Sequence, residues 1–431
     1  PEALGDLPSS MRLFVEARLD RLPAKSKSLV QELSTFGDLI TEEWAQRVLG
    51  GNPRPLLDDL TNRGILRRDD AESWRFGHAV VQEVAYSTLT RRLRTELHRR
   101  QLDLLDPDSP AELRAFHALA RSYHDILRMR AGDLSTAPDL VLYERNQADV
   151  LAVLAYTSER GIAVVPFGGG TSVVGGVTAG HGNFGAVVTL DISKMDRVLD
   201  VDRVSMTAEI EAGIYGPALE KALQAQGLTL GHYPQSFEFS TLGGWIAHAG
   251  AGQQSNRYGR SSDWIVSATL ATPRGVLATD NHPASAAGPR LKDMILGSEG
   301  AFGVITQARV RIHEAPAKKV YTGFLFKDFQ SGAEAIRTAV REDVPSAMLR
   351  VSDADETRVY RTMADIGKPH GLKATLTERF LALRGLDVAP AALIAGFEGD
   401  AAEVAEALKH FDKIAKRLGA LSVGQSMGKR W

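Results

Sequence analysis

The stretch PQSFEFSTLGGWIAHAGAG, residues 234–252, gives the first indication of the fold. An aromatic and acidic run leads directly into a field of small residues, and seven of the ten residues from Gly243 to Gly252 are Gly or Ala. This composition is typical neither of an ordinary helix nor of an ordinary strand. Missing side chains allow a ligand to approach the main chain closely, or allow a tight bend between packed elements. The stretch alone leaves both interpretations open.

A second glycine-rich stretch is GIAVVPFGGGTSVVGG at residues 161–176, where an apolar, strand-like run ends in three consecutive glycines. We call residues 168–172 the glycine loop. Such a loop can turn several backbone N–H groups toward one point, and the hydroxyls of Thr171 and Ser172 add donors, a combination that suits a pyrophosphate. The stretch matches neither GxGxxG nor GxxxxGK[ST], so it predicts neither a Rossmann domain nor a P-loop NTPase.

A third stretch, GSEGAFGVITQARVRI at residues 297–312, places a small-residue turn directly before an alternating strand. Six motifs in order then resemble the FAD-binding domain of the vanillyl-alcohol oxidase superfamily, and within it the alkyl-dihydroxyacetonephosphate synthase branch. They are PFGGGTS (166–172), QSFEFST (235–241), GGW (243–245), NRYG (256–259), TPRG (272–275) and GSEGAFGVIT (297–306). The resemblance covers about residues 111–431.

The pattern and the resemblance together predict an α+β fold: a two-subdomain FAD-binding domain, a partial α/β cap, and a helical winged-helix-like domain ahead of both. We predict strands at 140–144, 163–167, 186–191, 206–213 and 264–273, and helices at 147–160 and 217–226. In the cap we predict strands at 320–326, 347–353 and 391–400, and helices near 332–341 and 401–417. The predicted domains are residues 1–105, a linker with a leading helix at 106–135, the FAD-binding domain at 136–315 and the cap at 316–431.

The resemblance implies that three segments bind FAD. The first would wrap the pyrophosphate: Pro166, Phe167, Gly168, Gly169, Gly170, Thr171 and Ser172. The second would follow the ribityl and isoalloxazine parts: Gln235, Ser236, Phe237, Glu238, Phe239, Ser240 and Thr241, with His248, Ala249, Gly250 and Ala251. The third would complete the adenine and pyrophosphate side: Glu299, Gly300, Ala301, Phe302, Gly303, Val304 and Ile305. For Phe237 and Phe239 an ordinary place in the core is favoured over stacking on flavin, and His248 can simply be a hydrogen-bonding or solvent-facing imidazole.

The mode of flavin attachment follows from a comparison with that family. Relatives that bind FAD covalently use a His in the glycine loop or a Cys later in the chain, whereas this sequence has Thr171 in the loop and no Cys at all. We therefore predict noncovalent FAD. The absence of Cys also excludes disulfides and thiolate metal sites, and the eleven His show no HExxH pairing, so no metal site is predicted.

For catalysis, the resemblance points to Arg350, although an Arg after an apolar triplet is often just an ion-pair partner. The family's later Arg, Tyr and His motifs would follow GQSMGKRW, where the sequence stops. The first function to expect is that of the synthase branch, which makes an ether lipid precursor from an acylated dihydroxyacetone phosphate. The alternatives are an FAD-dependent 2-hydroxy-acid dehydrogenase of the glycolate or D-lactate type, and a noncatalytic regulatory fusion that carries a flavin module.

Residues 1–105 resemble the winged-helix segment of bacterial STAND-type regulatory ATPases, through EARLDRLP (16–23), RGILRR (63–68), FGHAVVQEVAY (76–86) and LHRRQLDLL (97–105). No Walker A motif is present, so ATP hydrolysis is not predicted. The run RRLRTELHRR (91–100) has five Arg against one Glu, but residues 1–105 are neutral overall, which favours a solvated face or a protein-partner surface over nucleic-acid binding.

The whole chain of 431 residues has a net charge of -2, and no apolar run approaches the roughly 18 residues that span a bilayer. We therefore expect a cytoplasmic protein without a transmembrane segment, with a homodimer as a possible assembly. Since residue 1 is Pro, we also expect the chain to begin inside a longer gene product.

Overall fold

The structure is a computed structural model that describes residues 9–34, 39–42, 45–46, 51–78, 81–82, 84–85, 111–131, 133–282, 285–365, 379–386 and 390–425. Some sequence predictions lie outside these ranges. They are the arginine-rich run at 91–100, the motif at 97–105, residues 106–110 of the predicted linker and the chain end beyond residue 425.

The N-terminal unit combines helices with a small antiparallel sheet. Its described elements are α1 (Ser9–Asp20), α2 (Ala24–Leu33), α3 (Arg54–Asn62), β1 (Leu39–Thr41), β2 (Leu66–Arg68) and β3 (Ser73–Phe76), with strand order β1-β3-β2. Leu29, Val30 and Leu33 recur at helical spacing and are fully buried, in the same hydrophobic cluster as Trp74. The unit therefore has its own core, and its winged-helix resemblance stays a prediction.

Two short helices, α4 (Ala111–Phe116) and α5 (Tyr123–Arg130), replace the single leading helix that the sequence indicated. The break between them has a local cause. The Ser122 side chain accepts from the backbone N–H of Asp125, and the Asp125 carboxylate accepts from the Ser122 N–H, which makes a capping box that starts α5 afresh.

Two sheets form the next domain. A parallel sheet has the order β4-β6-β5, from β4 (Leu140–Tyr143), β5 (Ala163–Phe167) and β6 (Val187–Asp191), with α6 (Gln147–Arg160) as the crossover helix. An antiparallel sheet has the order β11-β10-β12-β8-β7. Its strands are β7 (Val198–Asp202), β8 (Thr207–Glu211), β10 (Ile265–Thr272), β11 (Gly275–Ala278) and β12 (Val304–Arg311). The two-subdomain α+β prediction is confirmed.

Short elements complete this domain: α7 (Gly216–Gln224), β9 (Leu228–Thr229), α8 (Leu242–Ala247), α9 (Ser255–Tyr258), α10 (Ser261–Trp264), α11 (Lys292–Ile295) and β13 (His313–Glu314), which pairs with β9. One hydrophobic core joins both sheets, with Val150 of α6, Leu190 of β6 and Val310 of β12 as members. The sheets are therefore held as one body around the segments that connect them.

The cap follows as an antiparallel sheet of order β15-β16-β14-β17 with helices beside it. Its elements are β14 (Lys318–Phe326), α12 (Phe329–Arg341), β15 (Met348–Val351), α13 (Ala354–Asp365), β16 (Ala391–Gly399), α14 (Ala401–Arg417) and β17 (Leu421–Gly424). Phe324 and Phe397 of the sheet pack on Phe411 of α14. Within the described ranges, no helix has both the length and the apolar character needed to cross a bilayer.

The cap meets the preceding domain at Glu398, whose side chain is completely buried. It accepts hydrogen bonds from the Tyr258 hydroxyl at 2.9 Å, the Tyr321 hydroxyl at 2.6 Å and the Gln254 amide at 3.0 Å. Beside it, Arg257 forms an ion pair with Glu403 at 2.9 Å. The NRYG motif therefore supplies contacts between domains.

Candidate FAD site

The glycine loop begins where β5 leaves the parallel sheet. Phe167, the last residue of β5, is buried, and its ring lies beneath the loop, because a Cβ built on Gly170 would come within 2.5 Å of it. The backbone N–H groups of Gly169, Gly170, Thr171 and Ser172 donate to no other residue that the structure describes. The loop therefore presents unused donors at the carboxyl edge of a parallel sheet, a common position for an anion site in α/β folds.

The same loop packs directly on residues 239–241. A Cβ on Gly169 would lie 1.7 Å from the Phe239 carbonyl oxygen, and one on Gly168 would lie 2.3 Å from Thr241 Oγ1. Real side chains do not fit at such distances. These two glycines are therefore required by contact between protein segments, which is a different reason from the turning of backbone N–H groups toward one point that the sequence suggested for this loop.

The small-residue field at 243–252 is partly helical, which corrects the expectation from its composition. Helix α8 is capped by Thr241, whose side chain accepts from the Gly244 N–H at 3.3 Å, and it buries Leu242, Trp245 and Ile246. A side-chain cap offsets the poor helix propensity of Gly in a helix this short. The Trp245 indole then donates to Ser240 Oγ at 2.7 Å, which fixes the preceding loop.

These segments enclose a cavity of about 440 Å³. Of the predicted residues, its lining includes all seven from Pro166 to Ser172, together with Gln235, Ser236, Ser240, Thr241, His248, Gly250, Ala251, Glu299, Gly300, Gly303, Val304 and Ile305. Glu299 and His248 are its ionisable side chains, and no Lys or Arg belongs to this described lining. Anion binding here would therefore depend on backbone N–H groups and hydroxyls.

Six predicted residues lie outside the lining: Phe237, Glu238, Phe239, Ala249, Ala301 and Phe302. Phe237 stacks parallel to Trp245 at 6.3 Å and contacts Tyr233 at 4.8 Å, which agrees with a place in the core. Phe239 is 65% exposed, so the core interpretation is wrong for this residue. The hydroxyl of Ser240 is also not a free donor, because it donates to the Ser236 carbonyl at 2.8 Å.

Nine lining residues are not among the predicted FAD-binding residues: Val173, Gly176, Val177, Ile192, Pro234, Gly243, Gly244, Trp245 and Ala247. Most of them adjoin the predicted motifs and could have been found by extending each motif by a few positions. Ile192 has no such signal, since it follows β6; in the structure its N–H donates to the Phe167 carbonyl at 3.0 Å, beside the glycine loop.

Glu299, in the cavity lining, and Ala249, which lies between two lining residues, have unusual backbone angles. Ala249 and Glu299 have φ of 54° and 46°, in the left-handed region that residues with a Cβ seldom adopt. The segments that carry them are hydrogen-bonded to each other, because the Glu299 N–H donates to the Ala247 carbonyl at 3.0 Å. Such local strain is frequently kept where binding demands it.

Behind the cavity lies a fully buried imidazole, His232, in contact with Trp245 and Trp264. The Trp264 indole donates to His232 Nδ1 at 3.3 Å, which makes Nδ1 the acceptor. Burial lowers the pKa of His232 to about 4, so the ring is neutral at physiological pH.

Arg350 lies on β15 of the cap, outside the cavity lining. Its guanidinium forms an ion pair with Glu356 and also approaches the Tyr360 hydroxyl at 3.5 Å. Its catalytic role stays a prediction.

The cavity fits FAD on two observations. The first is the set of unused N–H donors in the glycine loop, which suits a pyrophosphate. The second is bare backbone at Gly244 and Gly250, where a Cβ would meet no atom closer than 3.4 Å and 3.6 Å, so a flat ring system can lie against the main chain there. The chemistry of this lining therefore agrees with a flavin dinucleotide.

Comparison with known families decides the assignment. Residues 138–280 match the FAD binding domain, and residues 315–429 match the C-terminal domain of FAD linked oxidases. This part of the chain belongs to the FAD-linked oxidases. The vanillyl-alcohol oxidase resemblance is thereby confirmed, and FAD is the cofactor that the family indicates.

Comparison with individual proteins is more specific than comparison with whole families. The chain is 37% identical over 322 residues to alkyldihydroxyacetonephosphate synthase of Dictyostelium discoideum, a match that covers 74% of this chain and 52% of the relative. It is 33% identical over 327 residues to the enzyme of the same name from Trypanosoma brucei brucei, with 74% and 53% covered. A solved structure of an alkyldihydroxyacetonephosphate synthase superposes with a TM-score of 0.66 at 35% identity, over 75% of this chain and 58% of that one. The chain thus spans about half the length of the curated relatives.

Proposed function

We propose that this protein is an FAD-dependent enzyme of the alkyldihydroxyacetonephosphate synthase type. Such an enzyme exchanges the acyl group of an acylated dihydroxyacetone phosphate for a fatty alcohol, which yields an ether lipid precursor. The supporting observation is a similarity to that synthase that extends over 74% of the chain, at 37% identity. In this exchange the acyl group leaves as a fatty acid and the alcohol forms the ether, so the overall reaction is neither an oxidation nor a reduction.

In this proposal the chain's own residues bind and orient. The N–H groups of the glycine loop hold the pyrophosphate, and the backbone at Gly244 and Gly250 admits the ring system. FAD supplies the electrophilic ring that the protein side chains lack. Arg350, held by Glu356, would orient substrate from the cap. Since the sequence has no Cys and has Thr171 in the loop, the cofactor would be dissociable.

An absorption spectrum of the purified chain with added FAD tests the cofactor. We expect bands near about 370 and 450 nm that belong to the bound flavin. After acid precipitation the colour should appear in the supernatant. Colour that stays in the pellet would contradict noncovalent binding, and a protein that stays colourless after reconstitution would contradict the whole proposal.

The reaction is tested by supplying the reconstituted chain with an acylated dihydroxyacetone phosphate and a radiolabelled fatty alcohol. We expect fatty acid release that matches incorporation of label into an ether. A 2-hydroxy-acid dehydrogenase would instead reduce its flavin anaerobically on addition of glycolate or D-lactate and would form the 2-oxo acid. That result, with no ether formed, would replace the proposed function. Binding of FAD with neither reaction would favour a noncatalytic flavin module.

A further inference from the structure

A short stretch ahead of the matched FAD-binding domain runs beneath the glycine loop. We call residues 117–122 the leading segment; it joins α4 to α5 and precedes residue 138, where the family match begins. His117, Ala118, Leu119 and Ala120 are all completely buried, although they belong to no helix or strand. Connecting segments normally lie on the surface, so full burial of four successive residues calls for a physical reason.

The first contact of the leading segment is a hydrogen bond to the parallel sheet. His117 Nε2 lies 3.0 Å from Asp191 Oδ2, and Nδ1 lies 2.8 Å from the Leu113 carbonyl oxygen. Asp191 ends β6 and is in register with Phe167, the residue that precedes the glycine loop. Two partners on opposite edges hold the imidazole in one orientation.

The second contact is aromatic. The His117 ring lies 4.2 Å from the Phe167 ring, and Phe116 adds a second ring at 5.9 Å. Phe167 in turn lies directly under Gly170, within 2.5 Å of where a Cβ would be. Continuous contacts therefore lead from His117 through Phe167 to the middle of the glycine loop, and displacement of the imidazole would displace the loop.

The third contact fixes the far end of the loop. The Arg121 backbone N–H donates to the Ser172 carbonyl at 2.7 Å. The Arg121 guanidinium donates to the carbonyls of Leu119 and Ala120 at 2.9 and 3.0 Å and lies 5.4 Å from the Phe116 ring. The side chain of Arg121 thus holds the leading segment in the shape that presents its own N–H to Ser172.

We propose that the leading segment is part of the FAD site, and that His117 and Arg121 are positioning residues that hold the glycine loop ready for the FAD pyrophosphate. This inference rests on the proposed use of that loop. A loop that is already in its binding shape loses less freedom when the ligand binds, so affinity depends on the residues that hold it. The functional unit would then begin at about residue 117 and not at residue 138.

The test compares R121A and H117Q with the matched controls R130A and H124Q, whose side chains are exposed on α5. FAD affinity is measured by fluorescence titration of each apoprotein and its dissociation rate by stopped flow. We expect R121A and H117Q to raise both the Kd and the dissociation rate about tenfold, and the controls to leave them unchanged. ADP, which carries the pyrophosphate without the flavin ring, should compete less well by the same factor.

Thermal melting of the apoproteins separates positioning from plain structural support. If R121A lowers the melting temperature but binds FAD and ADP as tightly as the unaltered chain, the inference is overturned while the proposed function stands. If the unaltered chain binds no FAD, the proposed function fails and the inference falls with it. Should H117Q not fold, R121A decides, because the Arg121 side chain is only partly buried.

Discussion

Glycines at this site have two different functions, and single substitutions distinguish them. Gly169 has no room for a methyl group because the Phe239 carbonyl oxygen would lie 1.7 Å from it, whereas Gly244 has room toward the cavity, with Thr241 Oγ1 at 3.4 Å as its nearest neighbour. The first therefore maintains the contact between the glycine loop and residues 239–241. The second maintains space for a ligand.

We expect G169A to destabilise the whole domain. The added Cβ must displace backbone on one side or the other, which costs roughly 2–4 kcal/mol of unfolding free energy. Urea denaturation followed by circular dichroism measures this. The matched control is G180A, where nothing lies within 4 Å of the new Cβ, and it should stay within about 0.5 kcal/mol of the original chain. Equal midpoints for both variants would contradict the close contact.

G244L should behave in the opposite way. A Cβ at this position meets no atom closer than 3.4 Å, and Leu is a better helix former than Gly, so the free energy of unfolding should hold or rise by up to about 1 kcal/mol. FAD binding should weaken by about a hundredfold or more, because a side chain occupies the ligand's space. Titration of the apoprotein with FAD measures the loss. Full FAD affinity in a folded G244L protein would show that the ring system lies elsewhere.

At the scale of elements, the sequence predicted best where a local signal sets the boundary. Helix α6 was predicted at its observed bounds, because Asn146 caps its start through the N–H groups of Ala148 and Asp149, and Gly161 ends it with φ of 63°. Helix α8 was not predicted, because its Gly residues disfavour a helix and hide the helix-starting signal of the cap at Thr241. The prediction of a single leading helix was also wrong. The capping box at Ser122 starts a second helix there, although the helical spacing of the residues suggested one continuous helix.

Asp149 in the first turn of α6 predicts a pH dependence of stability. Burial raises its pKa from 3.8 to about 7; the helix N-terminus, by about 1 kcal/mol or less, and the Asn146 amide, which donates to the Asp149 carboxylate at 2.5 Å, act in the opposite direction. Because the folded pKa is above the unfolded value, the unfolded chain ionises first, and the stability that Asp149 contributes below pH 4 is lost as pH rises through about 7.

The variant D149N removes this titration and keeps the shape of the side chain. Relative to D149N, the original chain should lose roughly 2 kcal/mol of unfolding free energy between pH 5 and pH 8. Urea midpoints at several pH values for both proteins give the comparison. Parallel curves across that range would mean that Asp149 does not titrate there.

For the whole molecule, the junction at Glu398 is the feature that the sequence could not reveal. Gln254 and Tyr258 come from one domain, and Tyr321 and Glu398 from the cap, so the cluster joins residues about 140 positions apart. The NRYG motif indicated the family, but nothing in the sequence predicted that its Arg and Tyr contact the cap. TPRG, similarly, is the turn between β10 and β11. The cavity residues were predictable because each motif is continuous, whereas contacts between domains have no such local pattern.

Removing one hydroxyl from this cluster should weaken the junction. In Y258F the buried Glu398 loses a donor at 2.9 Å, which costs about 1–3 kcal/mol. We expect a lower urea midpoint, together with faster amide exchange in β14 and β16 than in β12. Y123F, at a 73% exposed tyrosine, is the matched control and should change neither. Uniform exchange rates in Y258F would indicate that the cap is held by other contacts.

The order in which the cavity lining appears during synthesis also sets when the cofactor can bind. Apart from Ile192, its residues lie in three segments, 166–177, 234–251 and 299–305, and the last runs into β12, which pairs with both β8 and β10. A ribosome that adds 5–20 residues per second needs roughly 7–25 seconds to pass from the glycine loop to Ile305, about 130 residues later. The glycine loop is made first and the segment at 299–305 last, so we expect the complete cavity to be available to flavin only once Ile305 has been made.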